Sequence, residues 1–587
     1  LPPGGTLSDV RFVFPVVHPR LWWCTGYGKQ ELYDFTLTLK CGKDISAQTT
    51  RTGLRTIELT TNTVEYDGQM AFILNGKKIY MRGANWIPCD NFLPRVTTEK
   101  YYSLLKNAKD CGMNMLRVWG GGVYEDDRFY NICDSLGIMV WQDFMFAGGV
   151  YPASVHFMDI AGKECMDQTE RLAGHPCVSL FCGNNEIAEG WMNWGWQKEM
   201  NYSKADSLAL VAEMLQLDNG IRLVMKTNAA NIPYWPSSPS TGWGHKEAFE
   251  QGDVHYWGVW WGMEPFSAYD DHIGRFMSEF GFQGMPDMRT FFDFTGRKAL
   301  SLNDADVISH EKHPKGFETI NTYMARDYPV PSSFDDYVYV SQVMQADGVT
   351  RAIEAQRHTR PYCMGSLFWQ YNDCWPVTSW SSVDYYGRPK LLQYRLKEAY
   401  APVMMDVLQK DDTAYVYIVN DDTLLHTGVL GFRWMNMAGN NERYGINPFR
   451  VPAEHSRLAL ILPFKLLEDS VDRTKGFLEL VFNYENGKVL KKTVCLTSDR
   501  NMQFVKDPGI SFDVSQDPDR KNEFTVSLRA VSYAKDVFLS LDDPSATFSD
   551  NGFDLIPSEE TDVKITTSLN EDELKRSLVI KSMNQVK

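Results

Sequence analysis

Apolar and polar positions follow different periods along the chain. In residues 1–66 they alternate. Phe35-Thr36-Leu37-Thr38-Leu39 reads apolar–polar without a break, and Thr56-Ile57-Glu58-Leu59 follows, so both stretches are predicted strands. An immunoglobulin-like sandwich takes ~100 residues, so this segment reads as a partial one. From about 67 to 401 the pattern changes to strand–helix alternation. Tyr101, Leu104, Leu105, Ala108 and Cys111 recur at helical spacing, with Thr97 or Thr98 as the N-cap and Gly112 as the stop. Met113 to Trp119 is then a strand, Asp126 to Leu136 a helix and Ile138 to Phe144 a strand. A further helix precedes Pro176, and the apolar run Val178-Ser179-Leu180-Phe181 follows it. Later strands are predicted at Asp253–Trp257, Arg275–Phe280 and Cys363–Trp369. Such alternation implies parallel strands with crossover helices, and its length fits a (β/α)8 barrel with insertions. After about 402 the helical period fades. Tyr415 to Val419 and Phe477 to Phe482 are strands, and Lys506-Asp507-Pro508-Gly509 is a turn-rich joint. Beyond it Phe524, Val526 and Leu528 alternate, as do Val537, Leu539 and Leu541, and Asn570 to Leu574 opens a short helix. The expected fold is multidomain: a (β/α)8 TIM barrel at 67–401 flanked by immunoglobulin-like β-sandwiches at 1–66 (partial), 402–507 and 508–587.

Charge and composition narrow the function classes. The net charge is −16 and the pI about 5.2, which argues against a nucleic-acid backbone as partner. No apolar run approaches the ~20 residues of a membrane span. The chain opens at Leu1-Pro2-Pro3 rather than Met. It is therefore expected to be processed or excised, and its compartment stays open among periplasm, lysosome and the exterior. The 11 cysteines include no C-x-x-C pair, and His310-Glu311-Lys312-His313 is one residue short of H-E-x-x-H. Neither a metal nor a cofactor is expected. Aromatics reach 13%, with 17 Trp, 28 Tyr and 32 Phe. Flat rings suit the apolar faces of sugars, and large cores use them as well.

The chemistry concentrates in Cys182-Gly183-Asn184-Asn185-Glu186 and Met277-Ser278-Glu279-Phe280-Gly281. Each sets a glutamate just after a predicted buried strand. Two carboxylates at the carboxyl ends of different strands of one barrel can flank a glycosidic bond, and ~5 Å between them is the spacing of a retaining site. Arg117 ends a neighbouring strand and can reach Glu279 to hold it ionised, the competing reading being an ion pair beneath the barrel. Trp119 and Trp369 end strands as candidate stacking faces. Tyr256 is a candidate hydrogen-bond donor to Glu279, and Asn185 a candidate partner for a sugar 2-hydroxyl. Core packing is the alternative for each aromatic, and a turn role for Asn185.

These stretches resemble the family-2 glycoside hydrolases of clan A and, within that family, its β-mannosidases. The resemblance rests on Arg82-Gly83-Ala84-Asn85-Trp86-Ile87-Pro88, Val118-Trp119-Gly120-Gly121-Gly122-Val123-Tyr124-Glu125, Gly183-Asn184-Asn185-Glu186, Ser278-Glu279-Phe280-Gly281 and Trp369-Gln370-Tyr371-Asn372-Asp373-Cys374-Trp375-Pro376. It implies Glu186 as acid/base and Glu279 as nucleophile of a cofactor-free exo-β-mannosidase acting on a small glycoside or oligosaccharide. It also implies pocket positions for Asn185, Trp119 and Trp369, and a leaving-group position for Trp194. Glucosaminidase, galactosidase and glucuronidase activities of the same family, and a non-catalytic carbohydrate-binding fragment, are the rival readings. Members of the family begin with a jelly-roll domain that, in β-mannosidases, carries Gly-Trp-Asp-Trp-Gly-Pro; this sequence has no such segment. The expectation is a chain starting inside the following sandwich, with Trp22 and Trp23 in its interrupted part and with weak activity when isolated.

Overall fold

The structure is a computed structural model that describes residues 13–61, 69–152, 154–468 and 472–586. The domain boundary expected near residue 66 and the opening Leu1–Pro3 lie outside the described residues. Strands β1 (Tyr33–Cys41) and β2 (Asp44–Thr52) form an antiparallel hairpin. Its alternation is as predicted, yet Leu37, Leu39 and Ile45 are all exposed. Trp22 belongs to this leading segment by its backbone, whose N donates to Leu54 O at 2.9 Å. It is fully buried in the same apolar cluster as the barrel, and its indole donates to Asp134 O at 2.8 Å. Strand β3 (Ile57–Thr60) also belongs with the barrel. It pairs with β4 (Ala71–Leu74), which pairs with β5 (Lys77–Ile79). Their apolar side chains are the reason: Ile57, Phe72, Leu74 and Ile79 are buried, with the Phe72 ring 5.9 Å from Phe276 and 6.5 Å from Trp141. The little sheet closes the end of the barrel from which its strands start.

Eight parallel strands follow: β6 (Met81–Trp86), β7 (Met115–Val118), β8 (Met139–Asp143), β9 (Val178–Cys182), β10 (Tyr234–Trp235), β11 (Val254–His255), β12 (Met277–Glu279) and β13 (Gly365–Phe368). Their order is β10-β9-β8-β7-β6-β13-β12-β11, so chain neighbours are spatial neighbours and β13 returns to β6. Strands covered on both faces read as continuous apolar runs, and β6 to β9 are buried at every position. Helices fill the crossovers. Thr97 caps Thr98–Asp110 by accepting from Lys100 N, and Tyr101, Leu104, Leu105 and Ala108 face inward, the predicted stripe. Asp127–Leu136 runs from the Asp126 cap to Gly137, whose φ of 79° suits a residue without Cβ. Among the described residues, no helix is long and apolar enough to cross a membrane.

Between β10 and β11 the described residues form no backbone ladder. Side chains bridge the seam instead. Asp253 accepts from Trp235 Nε1 (2.8 Å) and Ser240 N (3.1 Å) on one oxygen, and from Ser238 Oγ (2.6 Å) and Ser278 Oγ (2.7 Å) on the other. A buried carboxylate with four donors is well satisfied.

After the barrel, antiparallel sheets 403–410/413–420/455–463 and 426–436/441–451/476–484/489–494 enclose Met405, Val416, Ile418, Leu430, Trp434, Leu478 and Phe482. Two further sheets between 511 and 581 enclose Phe524, Val526, Leu528, Val537, Leu539 and Ile565. The short helix expected from Asn570 is Glu571–Ser577, closed by a capping box.

Asp421 couples the barrel to the first of these sandwiches. It is 4% exposed and accepts from Arg357 Nη2 (2.7 Å) and from Arg360, with Arg82 Nη1 3.6 Å away. Burial works against its ionisation, but Arg357, Arg360 and Arg82 outweigh it and hold the carboxyl below its ordinary range. Asp421→Asn leaves three buried cations facing one another. We expect a loss of ~3–5 kcal/mol in urea unfolding, and a loss below ~1 kcal/mol would show that water reaches the cluster.

Candidate active site

Glu279 is the last residue of β12, and Glu186 comes four residues after β9. Both therefore stand at the carboxyl-terminal rim. Glu186 has a left-handed backbone (φ 57°) where the helix Ile187–Asn193 begins. That conformation costs ~1 kcal/mol or more for a residue with a Cβ. It is held by Glu186 N donating to Ser238 O (2.8 Å) and Asn185 N donating to Phe146 O (2.9 Å). A carboxylate oxygen of Glu186 and one of Glu279 lie within 4.8 Å of each other.

Arg117, fully buried on β7, organises the floor. Nη1 donates to Glu279 Oε1 (2.6 Å) and Asn85 Oδ1 (2.9 Å). Nη2 donates to Asp143 Oδ2 (2.8 Å) and Asn185 Oδ1 (2.8 Å), and Nε donates to Asp143 Oδ1 (3.3 Å). Because Asn185 gives its oxygen to Arg117, its amide nitrogen points the other way, 3.4 Å from Glu186 Oε2. Arg117 thus reaches Glu279, but the electrostatic balance differs from expectation. Burial raises the Glu279 carboxyl to about 7, with Glu186 adding to the rise while His255 and Arg117 oppose it. Burial likewise raises Glu186 to about 7 against Arg117 and Asn185, so desolvation rather than the Glu279 charge is its main cause. Two adjacent carboxyls in this range titrate as a pair and share a proton near neutrality. The 2.6 Å guanidinium contact favours the charge on Glu279, which leaves the proton to Glu186.

Tyr256 is a correction. Its hydroxyl donates to Glu264 and lies 3.1 Å from His272 Nδ1, not against Glu279. Successive strand residues face opposite sides, so on β11 it is His255 that points inward. His255 Nδ1 is 2.8 Å from Glu186 Oε1 and 3.4 Å from Glu279 Oε2. The inward parity of Asp253, His255 and Trp257 was the available signal. Asp143, ending β8, is the other residue that sequence reasoning missed.

Trp119 and Trp369 come together edge to face, with ring centroids 5.1 Å apart. Glycines make room for both. A Cβ on Gly121 would lie 2.1 Å from the Trp119 ring, and one on Gly281 would lie 2.1 Å from Trp369 O. Trp194 stands apart: it is 43% exposed and packs on Trp196 at 5.6 Å. Glu186, His255 and Glu279 offer three donors close enough for a cation. The 2.8 Å contact of Nδ1 with Glu186 and the guanidinium on Glu279 already occupy that space with hydrogen bonds and a fixed positive charge.

Comparison with known proteins places these features in context. Residues 4–55 match the model for glycosyl hydrolases family 2, and residues 505–586 match an Ig-fold domain model of mannosidases. A β-mannosidase B from Thermothelomyces thermophilus is 35% identical over 434 residues, covering 69% of this chain and 49% of the relative. A β-mannosidase from Capra hircus is 30% identical over 567 residues, covering 91% of this chain and 63% of the relative. The crystal structure of a β-D-mannosidase from Dictyoglomus thermophilum superposes with a TM-score of 0.84 at 31% identity, covering 96% of this chain and 68% of that one. The chain thus spans about half the length of the Thermothelomyces thermophilus relative.

The raised carboxyls carry a stability cost. Glu186 rises from ~4.3 in the unfolded chain to about 7 in the folded one. Between those values the folded state binds more protons, so its stability falls as pH rises through the window. Glu186→Gln should therefore be more stable than the parent by ~1–3 kcal/mol in urea at about pH 8, with the gap closing towards about pH 4. A pH-independent gap would contradict the shift.

Proposed function

Because the chain belongs to glycosyl hydrolase family 2, we propose that its barrel carries the centre of a retaining exo-β-mannosidase. In this reading Glu279 attacks the anomeric carbon while Glu186 gives its proton to the departing oxygen, and a glycosyl–Glu279 ester forms. Water then attacks the anomeric carbon of that ester as Glu186 takes its proton, the bond from that carbon to Glu279 breaks to free the carboxylate, and mannose leaves with its configuration retained. Asn185 Nδ2 presents a donor beside Glu186 for a sugar hydroxyl, and the Trp119–Trp369 pair offers faces for the ring. Arg117 keeps Glu279 charged before attack. The observation that carries the proposal is the approach of the two carboxylates to within 4.8 Å, the spacing of a double displacement, since inversion needs room for a water at ~6.5–9.5 Å. The choice of mannose rests on the names of the relatives at 30–35% identity.

A 2-deoxy-2-fluoro-mannosyl fluoride tests the first step, because it forms the ester and slows its hydrolysis. Mass spectrometry should find the adduct on Glu279. An adduct elsewhere, or none while the 2-fluoro galactosyl or glucuronyl reagent or a 5-fluoro-glucosaminyl fluoride reacts, would overturn the assignment. For Glu186→Ala we expect a loss of about 10²–10⁴-fold on a poor leaving group such as a mannobioside, and a much smaller loss on 2,4-dinitrophenyl β-mannoside. Equal losses on both would remove Glu186 from the acid role.

A further inference from the structure

His255 touches both candidate catalytic carboxylates through Nδ1, and its opposite nitrogen faces a different set of partners. Nε2 is 2.9 Å from Ser238 Oγ and 3.4 Å from Arg117 Nη1. Burial is the main force that lowers the His255 pKa, to about 4. The ring is thus neutral near neutral pH and carries a single N–H. The charged groups around it are Glu186 and Glu279 on the Nδ1 side, Arg117 on the Nε2 side, Asp143 behind Arg117 and Asp253 behind Ser238, with Glu189 a turn of helix beyond Glu186.

The hydrogens available on the Nε2 side decide where that N–H lies. Ser238 has a single hydroxyl hydrogen. Its Oγ is 2.6 Å from Asp253 Oδ2, and a carboxylate only accepts, so the hydrogen goes there. Asp253 takes it alongside Trp235 Nε1, Ser240 N and Ser278 Oγ. Ser238 Oγ therefore turns a lone pair to Nε2. Arg117 has nothing to give Nε2 either, because the two hydrogens of Nη1 go to Glu279 Oε1 at 2.6 Å and Asn85 Oδ1 at 2.9 Å. A bare Nε2 would meet no donor, so the ring carries its hydrogen there and donates to Ser238. Nδ1 is left as an acceptor, 2.8 Å from Glu186 Oε1. The other oxygen of Glu186 accepts from the Asn185 amide. Oε1 is thus the oxygen of Glu186 whose neighbour can take a hydrogen.

We propose that His255 is a positioning residue, fixed in its Nε2–H tautomer by the Ser238–Asp253 pair, whose Nδ1 accepts the acidic hydrogen of Glu186 and holds it on Oε1 while the site is empty. The hydrogen bonds then run one way, from Glu186 through His255 and Ser238 to Asp253. A bound substrate brings a second acceptor, the glycosidic oxygen, and the O–H turns to it about its C–O bond. Once the proton has passed to that oxygen, Oε1 is a carboxylate oxygen facing a lone pair. That contact opposes the charge and makes Glu186 a stronger base towards the water of the second step. The same tautomer gives no hydrogen to Glu279 Oε2, 3.4 Å from Nδ1, so the electrons of that oxygen stay available for attack. This inference rests on the acid/base reading of Glu186.

The plain alternative is that His255 and Ser238 only stitch the gap between β10 and β11. Ring-nitrogen NMR of the parent protein with isotope-labelled histidine reads the tautomer directly. The His255 signals, identified by their loss in His255→Asn, should show Nε2 protonated and Nδ1 bare. A protonated Nδ1 would overturn the proposal. Kinetics give an independent reading. An acceptor at Nδ1 favours the acid over the carboxylate. In Ser238→Ala, Nε2 loses its acceptor and the ring hydrogen is free to move to Nδ1, between the two carboxyls. The alkaline limb of kcat/KM on a mannobioside, which reports the acid of the free enzyme, should then move downward by about one pH unit. Ser238→Thr keeps the hydroxyl and should keep the limb. A purely structural seam predicts a less stable Ser238→Ala protein with the limb unmoved, and an unmoved or raised limb contradicts the proposal. Glu186→Ala is measured beside them. If it lacks leaving-group dependence, the acid/base reading fails and this inference with it. If it shows that dependence while Nδ1 is protonated or the limb stays in place, only this inference fails.

Discussion

A guanidinium buried at the centre of a barrel is the constraint on which the site depends. Removing Arg117 from water carries a penalty of several kcal/mol, repaid only if every hydrogen finds an acceptor. Its five N–H groups meet Glu279, Asn85, Asn185 and both oxygens of Asp143. That full satisfaction fixes more than the arginine. It sets one oxygen of Glu279, turns the Asn185 amide outward and anchors Asp143, whose second oxygen also accepts from Gly120 N at 3.0 Å beside Trp119. Residues on three other strands and the loop after β9 are thus tied to one charge on β7.

The parts legible in the sequence are those whose signal is local. Glu186 and Glu279 stood out because each follows an apolar strand directly, and the helix from Thr98 was marked by its stripe and its cap. What was not legible depends on which way a short strand faces. β11 has two residues, and shifting its parity by one exchanges His255 for Tyr256. Asp143 looked like an ordinary residue at the end of a strand, because nothing in its spacing from Arg117 says that the two strands lie side by side. Leu37 and Leu39 alternate as a covered strand would, yet they are exposed in the hairpin. β3 was assigned to the leading β segment by proximity along the chain, whereas its apolar side chains pack with β4 against the barrel, as does the indole of Trp22.

Desolvation does two things at once here. It raises both glutamates to about 7, so that the pair shares a proton near neutral pH, and it costs folding energy over that pH range. Arg117 breaks the symmetry. Without a charge touching only one of the two, a pair of buried carboxyls would hold its proton on either.

The seam between β10 and β11 joins this chemistry to the fold. Laddered strands satisfy their backbone without help, whichever side chains they carry: β6, β7 and β8 are laddered and still bring Asn85, Arg117 and Asp143 to the interior. Here β10 and β11 each have only two residues, and the bonds across the gap come from Trp235, Ser238, Ser240 and Asp253. Ser238 reaches His255, and His255 reaches Glu186. The contacts that close the barrel therefore continue without interruption to the carboxyl of Glu186. Changes that weaken the seam therefore also change the surroundings of Glu186.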